Sequence, residues 1–319
     1  MKFILSLLVI AVLFSCEKAE LPKPFSAGPS ANTVSVTMGS DYSNQLFFNL
    51  ESGSVVSHNN REIWDLAFQS GENGRMIALN SAKFMAIGKT AETDLNAVNT
   101  GTAVDWIYDN QKGMEDSMAL YEWELNRVYI VDRGTNLSGT QIGKMKFRVT
   151  AFSAASYTIE WGGLAETTFT TSEIEKNNAF NFTFFSFNGG GETVSVEPQK
   201  DAWDLCFTSY TYIYPDGMPY LVTGVLSNRN LTKVAEVTAS FDEVDYNYAT
   251  SLSFSDDLDI IGFDWKFYDF DLAVYSVLFD KIYVMKSVQG RFYKLRFLDF
   301  YDETGSKGTP SFELQEIVP

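Results

Sequence analysis

Five methionine and tyrosine side chains stand out as possible ligands for a metal or a flat ring system. Met114 and Met118 lie four residues apart among acidic residues, and Met218 lies in a Pro-Asp-Gly-Met-Pro turn. Tyr212 and Tyr214 belong to a short tyrosine-rich run. Thioether sulfur and phenol oxygen can both coordinate iron, and tyrosine rings can stack on a flat ligand. The alternative is that the methionines fill gaps and the tyrosines pack at a rim.

The motifs that mark common catalytic centres are missing from the sequence. It contains no HExxH, no GxSxG and no Walker A motif. The single histidine, His58, falls in a polar segment that we predict to be a turn. Asp65 and Asp204 each follow a tryptophan, and their strand context indicates that each binds a neighbouring turn or backbone amide. We therefore expect a protein that is not an enzyme.

The elements that must position these residues occur twice. WDLAF at 64–68 and WDLCF at 203–207 each follow an aromatic run with a glycine-bearing turn, and each precedes a segment of small residues. A second tryptophan and a terminal meander follow in the same order in both copies. Period-two alternation recurs, and no long stretch has a helical period. The sequence predicts an all-β protein with two tandem antiparallel β domains from an internal duplication, at 34–166 and 173–319.

The repeated Trp-Asp stretch itself is predicted to be a core strand. The period of two places Leu66 and Phe68 on one face together with Trp64, and Ala67 on the other face with the aspartate. Cys206 of the second copy matches Ala67 of the first. A position that holds Cys in one copy and Ala in the other is typical of core packing and not of a nucleophile.

The N-terminus has the pattern of an export signal. Lys2 precedes a short apolar segment, and Leu13-Phe14-Ser15-Cys16 resembles a bacterial lipobox. We expect a signal peptide at 1–15, a lipidated Cys16, and a flexible tether at 16–33. The alternative is an ordinary secretory signal with an incidental cysteine.

The composition excludes one class of partner. The chain has 319 residues and a formal net charge of −17, whereas nucleic-acid binding needs clustered Lys and Arg. The acidity favours solubility.

The acidic segment 255–259 lacks the spaced oxygen ligands and the glycine of an EF-hand loop. We predict that it is a solvated loop.

The ordered set of repeated elements resembles the HmuY family, the haem-binding, haemophore-like lipoproteins of Bacteroidota outer membranes. The second copy carries the resemblance best, with FFSFNGGG, WDLCF, KIYVMKSVQGRFYKLRFLDFY and SFELQEI in family order. The first copy follows the same order more weakly, and together they cover nearly all of 34–319. The resemblance implies an all-β fold and a lipid anchor in the outer membrane, facing the periplasm or the exterior. It also implies capture of haem for delivery to a TonB-dependent receptor.

The chain departs from this family at the iron ligands. The resemblance implies two axial side chains, His in some members and Met in others, on loops near the second Trp-led strand. With His58 alone, a bis-His site within one chain is excluded. The remaining candidates for haem contact are Met114, Met118, Met218, Tyr212 and Tyr214. Two hypotheses stay open: a protein that captures haem or another small hydrophobic ligand, and a non-haem binding or scaffold lipoprotein that kept the fold.

Overall fold

The computed structural model describes residues 31–319, and almost all regular structure in them is antiparallel β-sheet. The strands are β1 (Asn32–Ser35), β2 (Asn44–Asn49), β3 (Ser54–Asn60), β4 (Leu66–Gln69), β5 (Ile77–Leu79), β6 (Ala86–Lys89), β7 (Trp106–Ile107), β8 (Tyr129–Asp132), β9 (Lys144–Phe152), β10 (Ser156–Gly163), β11 (Thr170–Glu175), β12 (Phe182–Ser186), β13 (Glu192–Val194), β14 (Leu205–Ile213), β15 (Pro219–Ser227), β16 (Lys233–Val237), β17 (Lys266–Asp269), β18 (Val274–Val277), β19 (Ile282–Lys286), β20 (Phe292–Tyr301) and β21 (Lys307–Ile317). The helical elements are α1 (Tyr246–Ser251) and 3₁₀ turns at Ser81–Lys83, Leu95–Ala97, Glu115–Ser117, Asn188–Gly190 and Phe241–Glu243. The all-β prediction is confirmed.

The N-terminal predictions fall on a part of the chain that the structure does not describe. The predicted signal peptide, Cys16 and the tether up to residue 30 lie outside the described residues. Among residues 31–319, no helix has the length and apolarity needed to cross a membrane.

The strands form two large sheets, two smaller sheets and one separate hairpin. The orders are β11-β10-β9-β8-β6-β7, β1-β21-β20-β19-β16, β13-β12-β4-β5, β15-β14-β2-β3 and β17-β18. The two four-stranded sheets match each other element by element, because β12, β13, β4 and β5 correspond to β2, β3, β14 and β15 in the repeat. This symmetry reflects the internal duplication.

The aromatic strands are exchanged between the copies. β2 lies before the first Trp-Asp stretch in sequence, yet it pairs with β14, where Leu205 lies opposite Phe48. β12 likewise pairs with β4, where Leu66 lies opposite Phe185. The elements from β4 to β13 therefore form one contiguous unit, the first unit. The N-terminal elements β1 to β3 complete the second unit, which otherwise runs from β14 to β21.

The domain boundaries that we predict from the sequence remain a prediction, and they differ from the division that the strand pairing favours. The predicted boundary between 166 and 173 falls on β11 (Thr170–Glu175), and β11 pairs with β10 of the first unit. β1 pairs with β21 at the other end of the chain. The strand pairing thus favours a division near residues 61 and 198.

Each unit has its own aromatic core, and both cores contain residues from an exchanged strand. In the first, Leu66 and Phe68 pack with Phe185 and Phe187 of the β12 segment. In the second, Phe48 of β2 packs edge-on against Phe312, with ring centroids 5.5 Å apart. Each such buried side chain stabilises the folded protein by about 1.5–3 kcal/mol. Each exchanged strand therefore contributes directly to the core of the unit that it joins.

A third cluster lies between the two four-stranded sheets. Its buried members include Phe47, Ala67, Phe184, Trp203 and Cys206.

Trp64 packs on this third cluster, with its ring 4.9 Å from that of Phe184. The expectation that Trp64 shares a face with Leu66 and Phe68 is wrong, because β4 begins only at Leu66 and the extended alternation does not reach back to the tryptophan. Cys206 is buried as predicted, and it lies opposite Phe47 just as Ala67 lies opposite Phe184.

Asp65 holds the end of the exchanged strand β12 in the first unit. Its fully buried carboxylate accepts a hydrogen bond of 2.8 Å from the backbone N–H of Phe187. Two buried cations, Lys83 and Arg133, pair with the same carboxylate. The predicted structural role of this aspartate is confirmed.

Asp204 has the same role for β2 in the second unit, and it forms no ion pair within the described part of the chain. Its carboxylate accepts hydrogen bonds of 2.8 Å from the backbone N–H groups of Leu50 and Val288, and one from the Thr232 hydroxyl. Burial raises the pKa of Asp204, although these hydrogen bonds act in the opposite direction. The predicted structural role is confirmed here as well.

The second tryptophans of the two copies differ in environment. Trp265 is buried and stacks on Phe297 with ring centroids 3.7 Å apart. Trp106 is 37% exposed and lies 4.6 Å from the ammonium of Lys144. Sequence equivalence at this position is therefore not structural equivalence.

Candidate ligand-binding site

The loop that carries Met114 and Met118 is fastened to the strand that carries Tyr212. The Gln111 side chain accepts a hydrogen bond of 3.0 Å from the backbone N–H of Ile213 and donates a longer one of 3.4 Å to its carbonyl. Gln111 and Ile213 are 102 residues apart. The structure thus brings this loop of the first unit onto the end of the β14–β15 hairpin of the second unit.

The two methionines of this loop face different surroundings. Met114 is 43% exposed, and Met118 is buried, at opposite ends of a one-turn 3₁₀ helix. Met118 lines a central cavity between the copies and also a small pocket beside Arg75 and Trp123. Their spacing of four residues does not place both thioethers on one open face.

The other three sequence candidates lie together at the tip of the β14–β15 hairpin. Met218 is 62% exposed, and its carbonyl accepts the N–H of Tyr214 across the turn. The Tyr212 and Tyr214 rings meet edge to face at 5.0 Å, and Tyr214 approaches Tyr220 at 6.4 Å. The tip therefore presents tyrosine rings and one exposed thioether.

The tyrosine tip continues into an open cleft of about 630 Å³ in the second unit. Tyr220, which is 59% exposed, forms one wall. Tyr268 and Phe270 of the β17–β18 hairpin form another wall, with rings 5.1 Å apart, and Phe270 is 87% exposed. The rest of the lining includes Tyr275, Tyr301 and Lys307. We call this site the aromatic cleft.

The central cavity is smaller and lies where the exchanged strands meet. Its volume is about 170 Å³, and its lining includes the matching pairs Phe47 and Phe184, Trp64 and Trp203, and Ala67 and Cys206. Ligand pockets for drug-sized molecules usually measure about 300–1,000 Å³, so this space suits only a small ligand or water. The cavity is thus a product of the pseudo-symmetric junction.

Three charged groups border the central cavity. Burial raises the pKa of Glu197 to about 7, although the N–H of Phe182 donates to it. Burial also raises the pKa of Asp109 to about 6, and the N–H groups of Leu79 and Ala119 donate to that carboxylate.

The third charged group at the cavity is Arg229. It donates to the carbonyl of Gly113 at 3.0 Å and lies 5.2 Å above the ring of Phe182. Burial lowers its pKa, and the charges of Glu197 and Asp109 oppose that shift. The three groups form a buried cluster of one cation and two carboxyls.

Sequence reasoning missed these three residues and the aromatic cleft. Asp109, Glu197 and Arg229 come from three loops that only the strand exchange brings together, so no local spacing marks them. Phe270 offered a usable signal, because it lies in an aromatic and acidic stretch between two short strand patterns. Such exposed aromatics in a turn often mark a binding surface.

The structure gives no support to a histidine site. His58 lies in strand β3 opposite Leu46 and is exposed, so the prediction of a turn at this position is wrong. The polar run continues the β2–β3 pairing to Asn60 instead of turning. Among residues 31–319, no group of three or more His, Cys, Asp and Glu side chains could hold a metal ion.

A tetrapyrrole can be tested against both spaces by size and lining. The central cavity does not fit one, because about 170 Å³ is below the usual range for much smaller organic ligands. The aromatic cleft fits a flat apolar ring by volume, by its exposed Tyr and Phe rings, and by the ammonium of Lys307 for an acidic substituent.

One protein family and several solved structures are similar to this chain. The family described as HmuY protein matches the chain twice, at residues 41–179 and 178–314. Among solved structures, apo PinO from Porphyromonas gingivitis is similar at 11% identity and a TM-score of 0.27, covering 91% of this chain and 99% of its own. The apo HmuY analogue of Tannerella forsythia has 9% identity and a TM-score of 0.27, with 91% and 96% coverage.

A proposed HmuY-like haem-binding protein from Bacteroides vulgatus has 11% identity and a TM-score of 0.23, with 91% and 94% coverage. No curated protein sequence matches the chain. The two family matches together span most of the described residues and follow the internal repeat. The chain belongs to the HmuY family, with two tandem copies of the family sequence.

Proposed function

We propose that this chain is an exported, lipid-anchored protein that captures haem or a related flat hydrophobic ligand and delivers it to an outer-membrane, TonB-dependent receptor. The observation that carries the proposal is the aromatic cleft, whose Tyr220, Tyr268 and Phe270 rings lie open to solvent next to the β14–β15 tip. The β17–β18 hairpin follows directly on Trp265, the second tryptophan of its copy. A binding role, as opposed to a catalytic one, agrees with the family.

The cleft residues would act by stacking and charge pairing. Phe270, Tyr220 and Tyr268 offer ring faces whose contact with a porphyrin removes apolar surface from water. Lys307 offers an ammonium to a propionate. Haem, when bound, supplies an iron atom that accepts an axial ligand, and tyrosine oxygen is a known ligand of ferric haem.

The sequence candidates remain part of this proposal as neighbours of the cleft. Tyr214 contacts Tyr220, which belongs to the cleft, and Met218 lies in the same turn. Met218 is 62% exposed at this tip, and it does not itself line the cleft. The loop of Met114 and Met118 contacts the second unit through Gln111, Lys112 and Gly113.

A haemin titration of the soluble form lacking residues 1–16 tests the proposal. We expect a shifted Soret band with a saturable end point. The double variant Tyr220→Ala, Phe270→Ala should weaken binding about tenfold or more, because base-like ring stacking contributes about 1–3 kcal/mol per ring. Tyr121→Ala, which removes an exposed tyrosine ring of the first unit, serves as the control.

The same titration separates the methionine candidates from the cleft. If Met114→Ala and Met118→Ala leave the spectrum unchanged while the cleft variant alters it, the methionines are not ligands. If instead they alter the spectrum and the cleft variant does not, haem binds elsewhere than proposed.

A second function is favoured by His58 and by the small central cavity. A chain whose one histidine lies on an exposed strand, and whose internal cavity excludes a tetrapyrrole, suits a non-haem binding or scaffold lipoprotein. Absence of any Soret shift under both oxidising and reducing conditions would refute the haem proposal and leave this alternative.

The anchor is tested separately through Cys16. Replacement of Cys16 by Ser should release the protein from the membrane fraction and abolish incorporation of labelled palmitate. Retention of both would contradict a lipid anchor at this residue.

A further inference from the structure

A second pocket, away from the aromatic cleft, lies between the end of β14, strand β16 and the loop 253–264. Its volume is about 450 Å³. Three carboxylates line it: Glu236 of β16, and Asp259 and Asp264 of the loop. It shares no lining residue with the aromatic cleft. We call it the acidic pocket.

The loop that forms the acidic pocket is held rigidly. The N–H of Ser255 donates to the carbonyl of Val234 at 2.9 Å, and Gly262 exchanges two backbone hydrogen bonds of 2.9 and 3.1 Å with Val225. Gly262 adopts a φ of +57°, and a Cβ there would lie 2.7 Å from the carbonyl oxygen of Asp259. The carboxylate of Asp259 is thus presented by a pinned turn, which lowers the ordering cost of binding a ligand.

The negative charge of the acidic pocket is only partly neutralised. Lys281 pairs with both Asp264 and Glu236, at 2.8 and 3.2 Å. Within residues 31–319, Asp259 forms no ion pair, since the nearby Lys112 pairs with Asp257 at 3.1 Å. Burial, together with the charges of Asp257 and Asp264, raises the pKa of Asp259 to about 6.

Two buried tyrosine hydroxyls near these carboxylates lack hydrogen-bond partners. Tyr210 lines the pocket, is 1% exposed, and has no partner for its hydroxyl. That hydroxyl lies 3.4 Å from the position that a Cβ would occupy at Gly262 in the pocket wall. Burial and the nearby charge of Asp259 raise the pKa of Tyr210. Tyr283 is also buried and also lacks a partner for its hydroxyl, and burial together with the charges of Glu236 and Asp264 raises its pKa. Unpaired buried hydroxyls are costly.

The lining favours an organic cation over a metal ion. The carboxylates of the pocket are not among any group of acidic, His or Cys side chains in residues 31–319 that could hold a metal ion. The walls also contain the rings of Tyr212 and Phe263, 5.0 Å apart. Aromatic faces beside carboxylates are the surroundings that bind an ammonium group.

We propose that the acidic pocket binds an organic ammonium ion that also carries hydroxyl groups, of the size of an amino sugar. The ammonium pairs with Asp259, and hydroxyls of the ligand bond with the Tyr210 hydroxyl and the serines of the loop. This proposal is independent of haem binding.

Calorimetric titration of the soluble form with glucosamine and with glucose, at physiological ionic strength, tests the proposal. The two sugars share their shape and differ in the ammonium charge. We expect saturable binding of glucosamine at millimolar or lower concentration and binding of glucose weaker by about tenfold or more, because a hydrogen bond to a charged group is worth at least that factor.

Two variants and one control locate the site. Asp259→Asn should weaken glucosamine binding about tenfold, and Tyr210→Phe should weaken it several-fold while leaving the far-UV circular dichroism and the urea midpoint largely unchanged. Glu303→Gln changes the net charge equally at an exposed position outside the pocket and should have no effect. Equal binding of the two sugars, no saturable binding, or equal effects of Glu303→Gln and Asp259→Asn would each overturn the proposal.

Discussion

The carboxylate of Asp204 accepts a hydrogen bond from the backbone N–H of Leu50, 154 residues earlier in the chain, at 2.8 Å. Asp65 accepts the equivalent bond from Phe187, 122 residues later. These two bonds fasten each aromatic strand to the Trp-Asp segment of the other copy. The exchange of strands is therefore built into the repeated sequence itself.

The two aspartates should differ in what their loss costs. Asp65→Asn leaves Lys83 and Arg133 buried without a counter-charge, and we expect a loss of about 3–5 kcal/mol. Asp204→Asn leaves one backbone donor facing an amide, and we expect about 1–3 kcal/mol. Urea denaturation at pH 7 measures both, and equal losses would contradict the argument from the buried cations.

The strand exchange predicts which fragment folds alone. Residues 61–198 contain β4 to β13 and the complete first core, including Phe185 and Phe187. Residues 34–166 lack those two side chains and carry β2 without β14. We expect cooperative urea unfolding, followed by tryptophan fluorescence, for 61–198 only. The reverse result would support the boundaries predicted from the sequence.

Stability should fall as the pH rises through neutrality because of Glu197. Burial raises its pKa from 4.5 to about 7 in the folded protein, so its favourable contribution is complete below pH 4.5 and is lost as the pH rises through 7. The change amounts to at most about 3 kcal/mol. Glu197→Gln should flatten the dependence of the urea midpoint between pH 5 and 8.

The exposed Glu175 provides the control for this pH dependence. Glu175→Gln should leave the slope as it is in the unaltered protein. Asp109, with a pKa raised by burial to about 6, adds a smaller change of the same sign at lower pH, which should persist in both variants.

Replacement of the two loop methionines should have different effects on the free energy of unfolding of the ligand-free protein. Met118 is buried against the central cavity, so Met118→Ala should cost about 2–3 kcal/mol. Met114 is exposed, and Met114→Ala should change the free energy of unfolding by no more than about 0.5 kcal/mol. Thermal and urea unfolding check both values, and a large loss for Met114 would indicate a packing contact that the exposure does not show.

The repeat made the fold predictable, but not the pairing of its strands. Alternation marked β2, β4, β12 and β14 as strands, yet antiparallel partners depend on contacts more than 100 residues apart. The matching asparagines Asn80 and Asn228 carried a further signal of the symmetry. Each donates to the carbonyl of the Trp-Asp tryptophan, Trp64 or Trp203, at 2.8 Å.

The candidate site was less predictable than the fold, because the surroundings of a side chain, and not its residue type, decide whether it can contact a ligand. Trp106 and Trp265 match in the repeat, but one is exposed and the other is stacked in a core. The spacing of Met114 and Met118 suggested a common site, but the 3₁₀ turn between them places the two side chains in different surroundings. Asp259 looked like one of several solvated acids, and only the turn at Gly262 shows that its carboxylate lines a pocket.

The pairing of β1 with β21 places Asn32 opposite Leu314, so the first and the last strand of the described residues lie beside each other at one sheet edge. Strands β1 to β3 thus belong to the same unit as β14 to β21, although the first unit separates them along the chain. A circularly permuted chain, with residue 319 linked to residue 31 and new ends between residues 198 and 199, would make both units contiguous. It should keep the same sheets, because every strand pairing then lies either within residues 61–198 or within residues 199–319 joined to 31–60.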